Sequence, residues 1–544
     1  MSTSTDPRAV IDVTRPTERH VHADQAWAAL VAWNARMQPE PPILLRGDTL
    51  TRISHDEEHS KLATFTKPSL SELLSEAAVF WNQNANRGAG AFVAPPDYIL
   101  SALLDRTPDK LPDALRINRV VEVPVFGALD ADGHAAVLGI PGYDPLSRTY
   151  YAPPPGFPAL SMPTGWGEEQ YVRQTDGNVT ALDYARIQDV QAASELILDL
   201  LVDFPFTDEA SRSHAICMML EPFVREAIGT SPTPMYGVMA HTPGTGKGLL
   251  TQVCLGVACG PDVPVMSFTG GKGFEAAENR KALTAKLMEA PPVVFFDNVT
   301  EPLDSGVLAA ALTATHWSDR ILGVSRMADV PIRNAWVFTA NNPTISRELT
   351  RRIVPIFLDP GDIDPLTRTD WAHKLPQWAN EHRAELVGAC LTLAANYFAG
   401  ELDVYAGDYQ RPDVADVLAS FPAWSKIMGG ILKAAGIPGF LGNLDKLHAE
   451  ATVAVNEHAA MLADWFERQA QPYTLRELPG VLGAHPAQGI REAELPLELR
   501  GHGDKFEVKL GTWLRDHRDE VIGGYRVRKV DGRPSKWRVE KVGA

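Results

Sequence analysis

Five short, nearly continuous apolar runs lie in the middle of the chain, separated by stretches with helical periodicity. The runs are MYGVMA (235 to 240), VPVMSF (263 to 268), PVVFFDNV (292 to 299), AWVFTANN (335 to 342) and IVPIFLD (353 to 359). Strands of a parallel sheet are apolar on both faces because helices cover both faces. The pattern therefore predicts an α/β domain over residues 186 to 370, built on a five-stranded parallel sheet.

The flanking segments have different patterns. Residues 1 to 22 are polar and aperiodic, which predicts a disordered leader. Residues 23 to 185 mix helical and alternating stretches, which predicts an α+β domain. Helical periodicity returns in residues 371 to 472, where we expect a helical lid, and residues 473 to 544 combine a helix with two basic strand-like runs, which predicts a winged-helix domain.

One stretch near the start of the chain predicts a β-hairpin. PPILLRGDTLTRIS has apolar and polar positions that alternate on either side of Gly47-Asp48. Alternating runs joined by a Gly-Asp pair are typical of two antiparallel strands with a tight turn.

The composition is that of an ordinary globular protein, with 45% hydrophobic and 22% charged residues. We find no run of about 18 apolar residues, the length of a membrane-spanning helix, and no basic-plus-apolar signal at the start. We therefore expect a soluble, cytoplasmic protein that does not contact a membrane. The four cysteines have no paired spacing, which predicts buried thiols rather than disulfides or a zinc site.

The net charge of −17 argues against a protein that coats nucleic acid through overall attraction. Charge is unevenly spread, because residues 501 to 544 hold 11 Lys or Arg against 7 Asp or Glu, a local balance of +4. Contact with DNA is thus expected to be local, through this tail or through a lined channel.

The segment MAHTPGTGKGLL (239 to 250) follows the first apolar run and precedes a helical stretch. A glycine-rich turn between a strand and a helix directs backbone N–H groups at phosphate oxygens, and a lysine that follows it reaches the terminal phosphates. A glycine turn without a ligand is the alternative. As a nucleotide loop, the segment would contact its ligand through Thr242, Pro243, Gly244, Thr245, Gly246, Lys247, Gly248 and Leu249.

The loop departs from the usual pattern at two positions. We interpret Ala240 as the replacement of its first glycine. Gly248 stands where a Ser or Thr hydroxyl normally ligates magnesium. Because magnesium keeps water ligands readily, this change predicts slower hydrolysis rather than lost nucleotide binding.

Polar side chains end two of the later runs. Asp297 offers a carboxylate suited to hold magnesium through water, and Asn341 offers an amide suited to orient the attacking water. Arg351 and Arg352 precede the fifth run, where they would reach a neighbouring subunit's nucleotide. Each residue alone fits a turn cap or a solvated surface. Together, in this order, they predict a site for ATP with Mg²⁺.

Four segments together resemble the AAA+ replicative helicase-like ATPases of phages, prophages and mobile elements, which are related to superfamily 3 and poxvirus-type primase-helicases. The segments are PGTGKGLL, VVFFDNVTEPLDSGVLAAALTA, SDRILGVSRMADVPIRNAWVFTANNP and LTRRIVPIFLD. The resemblance implies a homo-oligomeric ring, usually a hexamer, that hydrolyses ATP between subunits while it draws a DNA strand through its pore.

Carried over by position, the resemblance implies a role for each polar residue. Lys247 resembles the Walker A lysine, Asp297 the Walker B aspartate and Asn341 sensor 1. Either Arg351 or Arg352 would be the arginine finger. Many AAA+ enzymes have a glutamate where this chain has Asn298, and an amide accepts a proton poorly, so the general base is unassigned.

Two regions are candidates for contact with DNA. The segment DRILGVSRMADVPIRNAW predicts two strands, and the resemblance implies that such a hairpin points into the pore, with Arg326 as the phosphate contact and Lys272 as a weaker second candidate. The basic tail would contact a DNA backbone through Arg526, Arg528, Lys529 and Lys536. An ordinary solvated surface is the alternative in both regions.

The sequence therefore predicts an ATP-dependent DNA helicase or translocase that serves replication of a phage or mobile element. The alternative is a nucleotide-gated initiator, loader or defence-type switch that oligomerises on DNA without processive unwinding. Gly248 and Asn298 favour this alternative, because both weaken hydrolysis. The amino-terminal region has no assigned chemistry.

Overall fold

The computed structural model describes residues 8–55, 59–131, 135–158, 181–268, 274–320, 327–361, 368–399, 401–403, 408–468, 471–478, 495–496, 499, 506–522, 524–530 and 534–542. The chain divides into two units, Met1–Asn443 and Leu444–Ala544. The four cysteines are buried free thiols, as predicted. None of the described helices is both long enough and apolar enough to cross a membrane.

Helices and strands are numbered in chain order. The helices are α1 (Arg19–Arg36), α2 (Lys67–Ala77), α3 (Asp97–Leu104), α4 (Ala181–Leu200), α5 (Glu209–Ile228), α6 (Lys247–Cys259), α7 (Phe274–Met288), α8 (Gly306–Thr313), α9 (Arg347–Thr350), α10 (Gln377–Glu381), α11 (Arg383–Ala399), α12 (Pro422–Ala434), α13 (Leu444–Arg468) and α14 (Phe506–Asp516). The strands are β1 (Ala9–Asp12), β2 (Leu44–Arg46), β3 (Thr49–His55), β4 (Ser60–Thr64), β5 (Ala78–Asn82), β6 (Ala91–Val93), β7 (Arg119–Val121), β8 (Val125–Leu129), β9 (Ala135–Leu138), β10 (Gly142–Asp144), β11 (Thr149–Tyr151), β12 (Met235–Ala240), β13 (Val265–Met266), β14 (Val293–Val299), β15 (His316–Arg320), β16 (Met327–Pro331), β17 (Ala335–Asn341), β18 (Ile353–Leu358), β19 (Glu401–Asp403), β20 (Asp408–Gln410), β21 (Tyr473–Thr474), β22 (Val521–Ile522), β23 (Tyr525–Val530) and β24 (Lys536–Lys541).

The five apolar runs form one parallel sheet, as predicted. Its strand order is β13-β14-β17-β12-β18, and every neighbouring pair is parallel. All residues of β12 and β18 are buried. Because all five strands run in one direction, the residues that follow them gather at one carboxyl edge of the sheet.

The amino-terminal region is built from small sheets and the helices α1, α2 and α3, which share one apolar core. The predicted disordered leader is wrong for residues 8 to 22. Residues 9 to 12 form β1, which pairs in parallel with β5, and Ile11 of this strand is buried in the core. Apolar burial in a sheet therefore orders a segment that looks polar overall. Residues 1 to 7 lie outside the described residues.

The predicted hairpin is confirmed, with β2 and β3 antiparallel around Gly47-Asp48. The side chain of Arg46, just before the turn, is completely buried and donates to backbone carbonyls of the parallel-sheet region (residues 186 to 370), to Leu287 at 2.9 Å and to Pro331 at 3.1 Å. The buried Arg119 donates to the Pro222 carbonyl at 2.6 Å. These bonds join the amino-terminal region and the parallel-sheet region inside one unit, with no break at the expected boundary near residue 185.

The helices α11 and α12 complete the first unit. The buried carboxylate of Glu221 on α5 accepts hydrogen bonds from the Tyr236 hydroxyl of β12 at 2.8 Å and from the Trp424 indole of α12 at 2.9 Å. This carboxylate therefore fixes α12 to β12, an inner strand of the parallel sheet.

The second unit begins earlier than predicted. Its sheet is antiparallel, in the order β21-β24-β23-β22, and α13 packs on it through Leu462 and Trp465. The predicted boundary between residues 472 and 473 is therefore wrong, because α13 shares this core and the first unit ends at Asn443. The predicted helix and basic strand pair are observed as α14, β23 and β24. A winged-helix assignment stays a prediction.

Gly47 provides a test of the junction between the β2-β3 hairpin and the parallel-sheet region. Its φ is +55°, and a Cβ at this position would lie 2.5 Å from the Asp329 carbonyl oxygen of β16. We expect Gly47→Ala to lower the free energy of unfolding of the first unit by about 2 to 4 kcal/mol, since backbone strain and overpacking add. Urea denaturation measures this change.

Gly88→Ala is the matched control, because Gly88 also has a positive φ, +87°, but has open space around it. We expect Gly88→Ala to lower the free energy of unfolding by the backbone-strain contribution alone, about 1 to 2 kcal/mol. Equal losses in the two variants would show that the hairpin does not press on β16.

Candidate nucleotide site

The glycine loop connects β12 to α6 at the carboxyl edge of the parallel sheet. Gly244 and Gly246 both have positive φ, +80° and +87°, a conformation that favours glycine. Gly246 is the N-cap of α6, so the loop turns directly into the helix N-terminus. Counting back from Gly246-Lys247 puts the first glycine position of the usual pattern at His241. Our assignment of that position to Ala240 is wrong, since Ala240 is the last residue of β12.

The Lys247 side chain is buried, with 8% of its surface exposed, and it lies among neutral acceptors. Its ammonium donates to the Asn341 Oδ1 at 2.6 Å, the Thr245 hydroxyl at 3.3 Å and the Thr242 carbonyl at 3.4 Å. It makes no ion pair with any residue that the structure describes. Burial lowers the pKa of Lys247, and the negative charge of Asp297 partly opposes this effect. A buried cation without a contacting anion is a favourable site for an anionic ligand.

A bulge in β14 presents Asp297 and Asn298 together at the sheet edge. The pairing of β14 with β17 shifts between Phe296 and Val299, and Asn298 has a positive φ of +50°. Both side chains are exposed, while the four residues before them are buried. The bulge interrupts the alternation of the strand, so two neighbouring polar side chains are both exposed at this edge.

Thr339 on β17 fixes this bulge. Its hydroxyl donates to the Asp297 carboxylate at 2.5 Å and accepts from the Asn298 backbone N–H at 2.7 Å. The hydroxyl is buried and uses both its donor and one acceptor, so it orients the carboxylate on which a metal would depend.

Position 248 lies beside Asp297. A Cβ built on Gly248 would be 3.9 Å from the Asp297 Oδ1, an ordinary contact distance. No group of three or more His, Cys, Asp or Glu able to hold a metal occurs within the described part of the chain. Magnesium commonly binds through one or two carboxylates with water and substrate phosphates, so Asp297 fits that ion even without a hydroxyl at position 248.

A cavity of about 750 Å³ lies at the turn between α4 and α5. Leu201, Phe204 and Phe206 line it, and Phe204 approaches the glycine loop, since a Cβ on Gly246 would lie 3.6 Å from its ring. The backbone N–H of Thr207 donates to the Phe357 carbonyl at 3.1 Å, which places this turn beside β18. The cavity therefore adjoins the loop at the same edge of the sheet.

The two arginines proposed for the finger lie at the opposite edge. The Arg352 carbonyl accepts from the N–H of Met235, the first residue of β12, whereas the loop follows the last. Six residues of strand span about 20 Å, so neither arginine reaches its own loop. The Arg352 guanidinium is largely buried and pairs with Glu348 at 3.2 Å. Arg351 is exposed and forms no ion pair among the described residues.

The residues predicted to contact DNA fall into two groups. Lys272 and Arg326 lie outside the described residues. The strands around Arg326 do form an antiparallel pair, β15 and β16. Asp319 anchors this pair to α7 through an ion pair with Arg280 at 2.7 Å, and Trp317 donates to Thr284 at 2.9 Å.

In the second unit, the basic residues divide between two faces of the sheet. Arg526, Arg528 and Lys536 lie on one face by their register, together with Arg538 and Glu540. Arg528 pairs with Asp519 at 2.9 Å and with Glu540 at 3.3 Å, which reduces its availability to phosphate. Lys529 is exposed but lies opposite Trp537, on the other face.

Three side chains of the site are not among those predicted from the sequence: His241, Thr339 and Asn342. Asn342, next to Asn341, has a positive φ of +43°. Its Oδ1 lies 2.6 Å from the His241 Nδ1, and its Nδ2 donates to the His241 carbonyl at 2.9 Å. His241 and Asn342 could have been found from the sequence, because each lies at the end of a predicted strand. The partners of Thr339 depend on strand order, which no local pattern gives.

A scan of protein-family models and a search of curated proteins found no match to this chain. Solved structures similar to it include an active helicase, Cch of SCCmec type IV, at 10% identity and a TM-score of 0.31, with 78% of this chain and 76% of that one covered. The apo C-terminal region of NrS-1 aligns at 14% identity and a TM-score of 0.32, over 92% of this chain and 96% of that one. The JCV helicase aligns at 15% identity and a TM-score of 0.20, over 51% and 72%. Such low scores add nothing to what the site itself shows.

Thr339→Val tests the hydroxyl that holds the bulge. Valine keeps the shape but leaves the Asn298 N–H without its partner, so we expect the free energy of unfolding to fall by about 1 to 3 kcal/mol. Thr339→Ser is the control, because it keeps both hydrogen bonds and loses only a methyl group, at about 0.8 kcal/mol. A larger loss in the serine variant than in the valine variant, measured by denaturant unfolding, would show that packing rather than the hydroxyl holds the bulge.

Proposed function

We propose that the carboxyl edge of the parallel sheet binds ATP with Mg²⁺ and hydrolyses it. The observation that carries this proposal is the buried Lys247 ammonium, which contacts only neutral acceptors at the start of α6. A triphosphate would supply the missing anion and would receive N–H groups from the loop and the helix terminus. Asp297, oriented by Thr339, would hold the metal, which supplies charge neutralisation on the terminal phosphates.

The adenine base would enter the cavity beside the loop. Phe204 and Phe206 offer aromatic faces for stacking, and Leu201 offers apolar contact. The Phe204 ring lies next to Gly246, so a base in this cavity is joined to phosphates on the loop by a short path.

Arg351 is the better candidate for an arginine finger. It is exposed at the edge opposite its own nucleotide site, whereas Arg352 is held by Glu348. A residue in this position acts only on the nucleotide of another subunit. We therefore propose a ring of identical subunits, of which a hexamer is the form implied by the family resemblance.

We further propose that ATP hydrolysis drives movement along DNA, as in a helicase or translocase of a phage or mobile element. Support comes from β15 and β16, a strand pair that α7 holds firmly, and from the cationic face of β23 and β24. Strand displacement on a forked duplex by the wild-type protein, lost in Lys247→Ala, is the expected result.

A second candidate is a nucleotide-gated DNA-binding switch that assembles without unwinding. Two observations favour it: Gly248 supplies no hydroxyl beside Asp297, and Asn298 supplies an amide where a carboxylate base is usual. ATP-dependent assembly on DNA without strand displacement would select this candidate over the helicase.

Substitutions of Lys247 and Arg351 separate binding from hydrolysis. Lys247→Ala should abolish both, because the triphosphate loses its buried cation. Arg351→Ala should leave the affinity for an ATP analogue unchanged and lower kcat by about a thousandfold, the usual effect of a lost finger. Arg347→Ala changes another exposed arginine, at the start of the short helix α9 that Arg351 follows, and should keep hydrolysis. An equal loss there would contradict the assignment of Arg351.

Gly248→Ser tests the missing hydroxyl. The Cβ has room beside Asp297, so the serine should lower the Mg²⁺ concentration needed for half-maximal hydrolysis by about tenfold. Gly248→Ala is the control for backbone effects, because alanine adds the Cβ and about 1 kcal/mol of helix propensity without a ligand. Identical Mg²⁺ dependence of the two variants would mean that position 248 does not face the metal.

A further inference from the structure

His241 and Asn342 are hydrogen-bonded to each other, and neither has a role in the reaction proposed above. His241 follows β12 and Asn342 follows β17, and these two strands are neighbours in the sheet. The pair is joined by two hydrogen bonds, one from the Asn342 Nδ2 to the His241 carbonyl and one between the Asn342 Oδ1 and the His241 Nδ1.

These two bonds determine the protonation of the imidazole ring. A carbonyl oxygen only accepts, so the side-chain nitrogen of Asn342 faces the His241 carbonyl and its oxygen faces the ring. An amide oxygen cannot donate, so the His241 Nδ1 carries the proton. In the neutral ring the other nitrogen, Nε2, therefore has a free lone pair. This nitrogen has no hydrogen-bond partner among the described residues, and the side chain is exposed.

The pair lies beside the group that would hold the terminal phosphate. The Lys247 ammonium contacts the Thr242 carbonyl, one residue after His241, and the Asn341 amide, one residue before Asn342. Consecutive Cα atoms are about 3.8 Å apart. His241 is therefore one residue from one contact of the ammonium, and its partner Asn342 is one residue from another.

The remaining polar groups at this edge do not suit proton transfer. The Asn298 amide is a poor base, and the Asp297 carboxylate is engaged by Thr339 and by the proposed metal. Glu301 is exposed in the turn that follows β14 and is the competing carboxylate.

We propose that His241 is the general base for ATP hydrolysis and that Asn342 positions it, an inference that rests on the proposed function. The water oxygen forms a bond to the γ-phosphorus while the bond from that phosphorus to the bridging oxygen breaks, and ADP leaves with the electron pair. The proton of the attacking water passes to the His241 Nε2. The resulting imidazolium returns this proton to solvent before the next turnover.

Chemical rescue of His241→Ala tests the role. We expect kcat to fall by about a hundredfold or more, as for a lost general base, while the affinity for a non-hydrolysable ATP analogue is unchanged. Imidazole added to the buffer should restore hydrolysis in proportion to its concentration of free base. The exposed His20 of α1 is the matched control, since His20→Ala should neither lose activity nor respond to imidazole.

Variants of Asn342 test the positioning role. Asn342→Asp keeps an oxygen acceptor for the Nδ1 proton but loses the donor to the His241 carbonyl. It should therefore keep more of the hydrolysis rate than Asn342→Leu, which removes both bonds and should lower kcat without changing analogue affinity. The proposal is overturned if His241→Ala keeps its kcat, if imidazole fails to restore the lost rate, or if Glu301→Gln alone abolishes hydrolysis.

The outcome is separable from that of the proposed function. Wild-type protein that shows no hydrolysis dependent on Lys247 defeats the ATPase itself. Hydrolysis that depends on Lys247 but is indifferent to His241 leaves the ATPase intact and defeats only the assignment of the base.

Discussion

The common direction and register of β12, β14 and β17 is the constraint on which the site depends. Ala240 at the end of β12 pairs directly with Asn341 at the end of β17, so the loop that follows one strand meets the amide that ends the other. The contact between Lys247 and Asn341 is a consequence of that register. A shift of one residue in either strand would turn the amide to the other face of the sheet and leave the ammonium without it.

The proposed nucleotide site combines the groups that would hold phosphate with altered groups at the end where hydrolysis would occur. Glycines with positive φ, a helix terminus and a buried ammonium are all present. At the reacting end, however, a hydroxyl is missing at Gly248 and a carboxylate is replaced at Asn298. Two non-glycine residues at this edge have positive φ, Asn298 in the bulge of β14 and Asn342 directly after β17. Backbone strain of this kind persists only where surrounding contacts fix it, which here are the bonds of Thr339 and His241.

Much of the core could be predicted from the sequence, because buried parallel strands have an apolar signature. The five runs, the loop and the ends of β14 and β17 were all locatable in this way. Features that depend on partners far away in the sequence could not be located in this way. The bulge at Asp297 is held by a hydroxyl 42 positions away, and β1 is ordered by a strand that begins at Ala78. The boundary after Asn443 was missed because periodicity identifies a helix such as α13 but not the core that it joins.

The buried Arg46 and Arg119 bear on how such a chain can change over evolutionary time. Their guanidinium groups donate to backbone carbonyls of the parallel-sheet region, so these bonds do not depend on which side chains stand at the accepting positions. Recombination that replaced the amino-terminal region would have to bring in two arginines at matching points, or lose the hydrogen bonds to Leu287, Pro331 and Pro222. Replacement of the amino-terminal region alone would therefore cost stability unless the new segment kept both arginines.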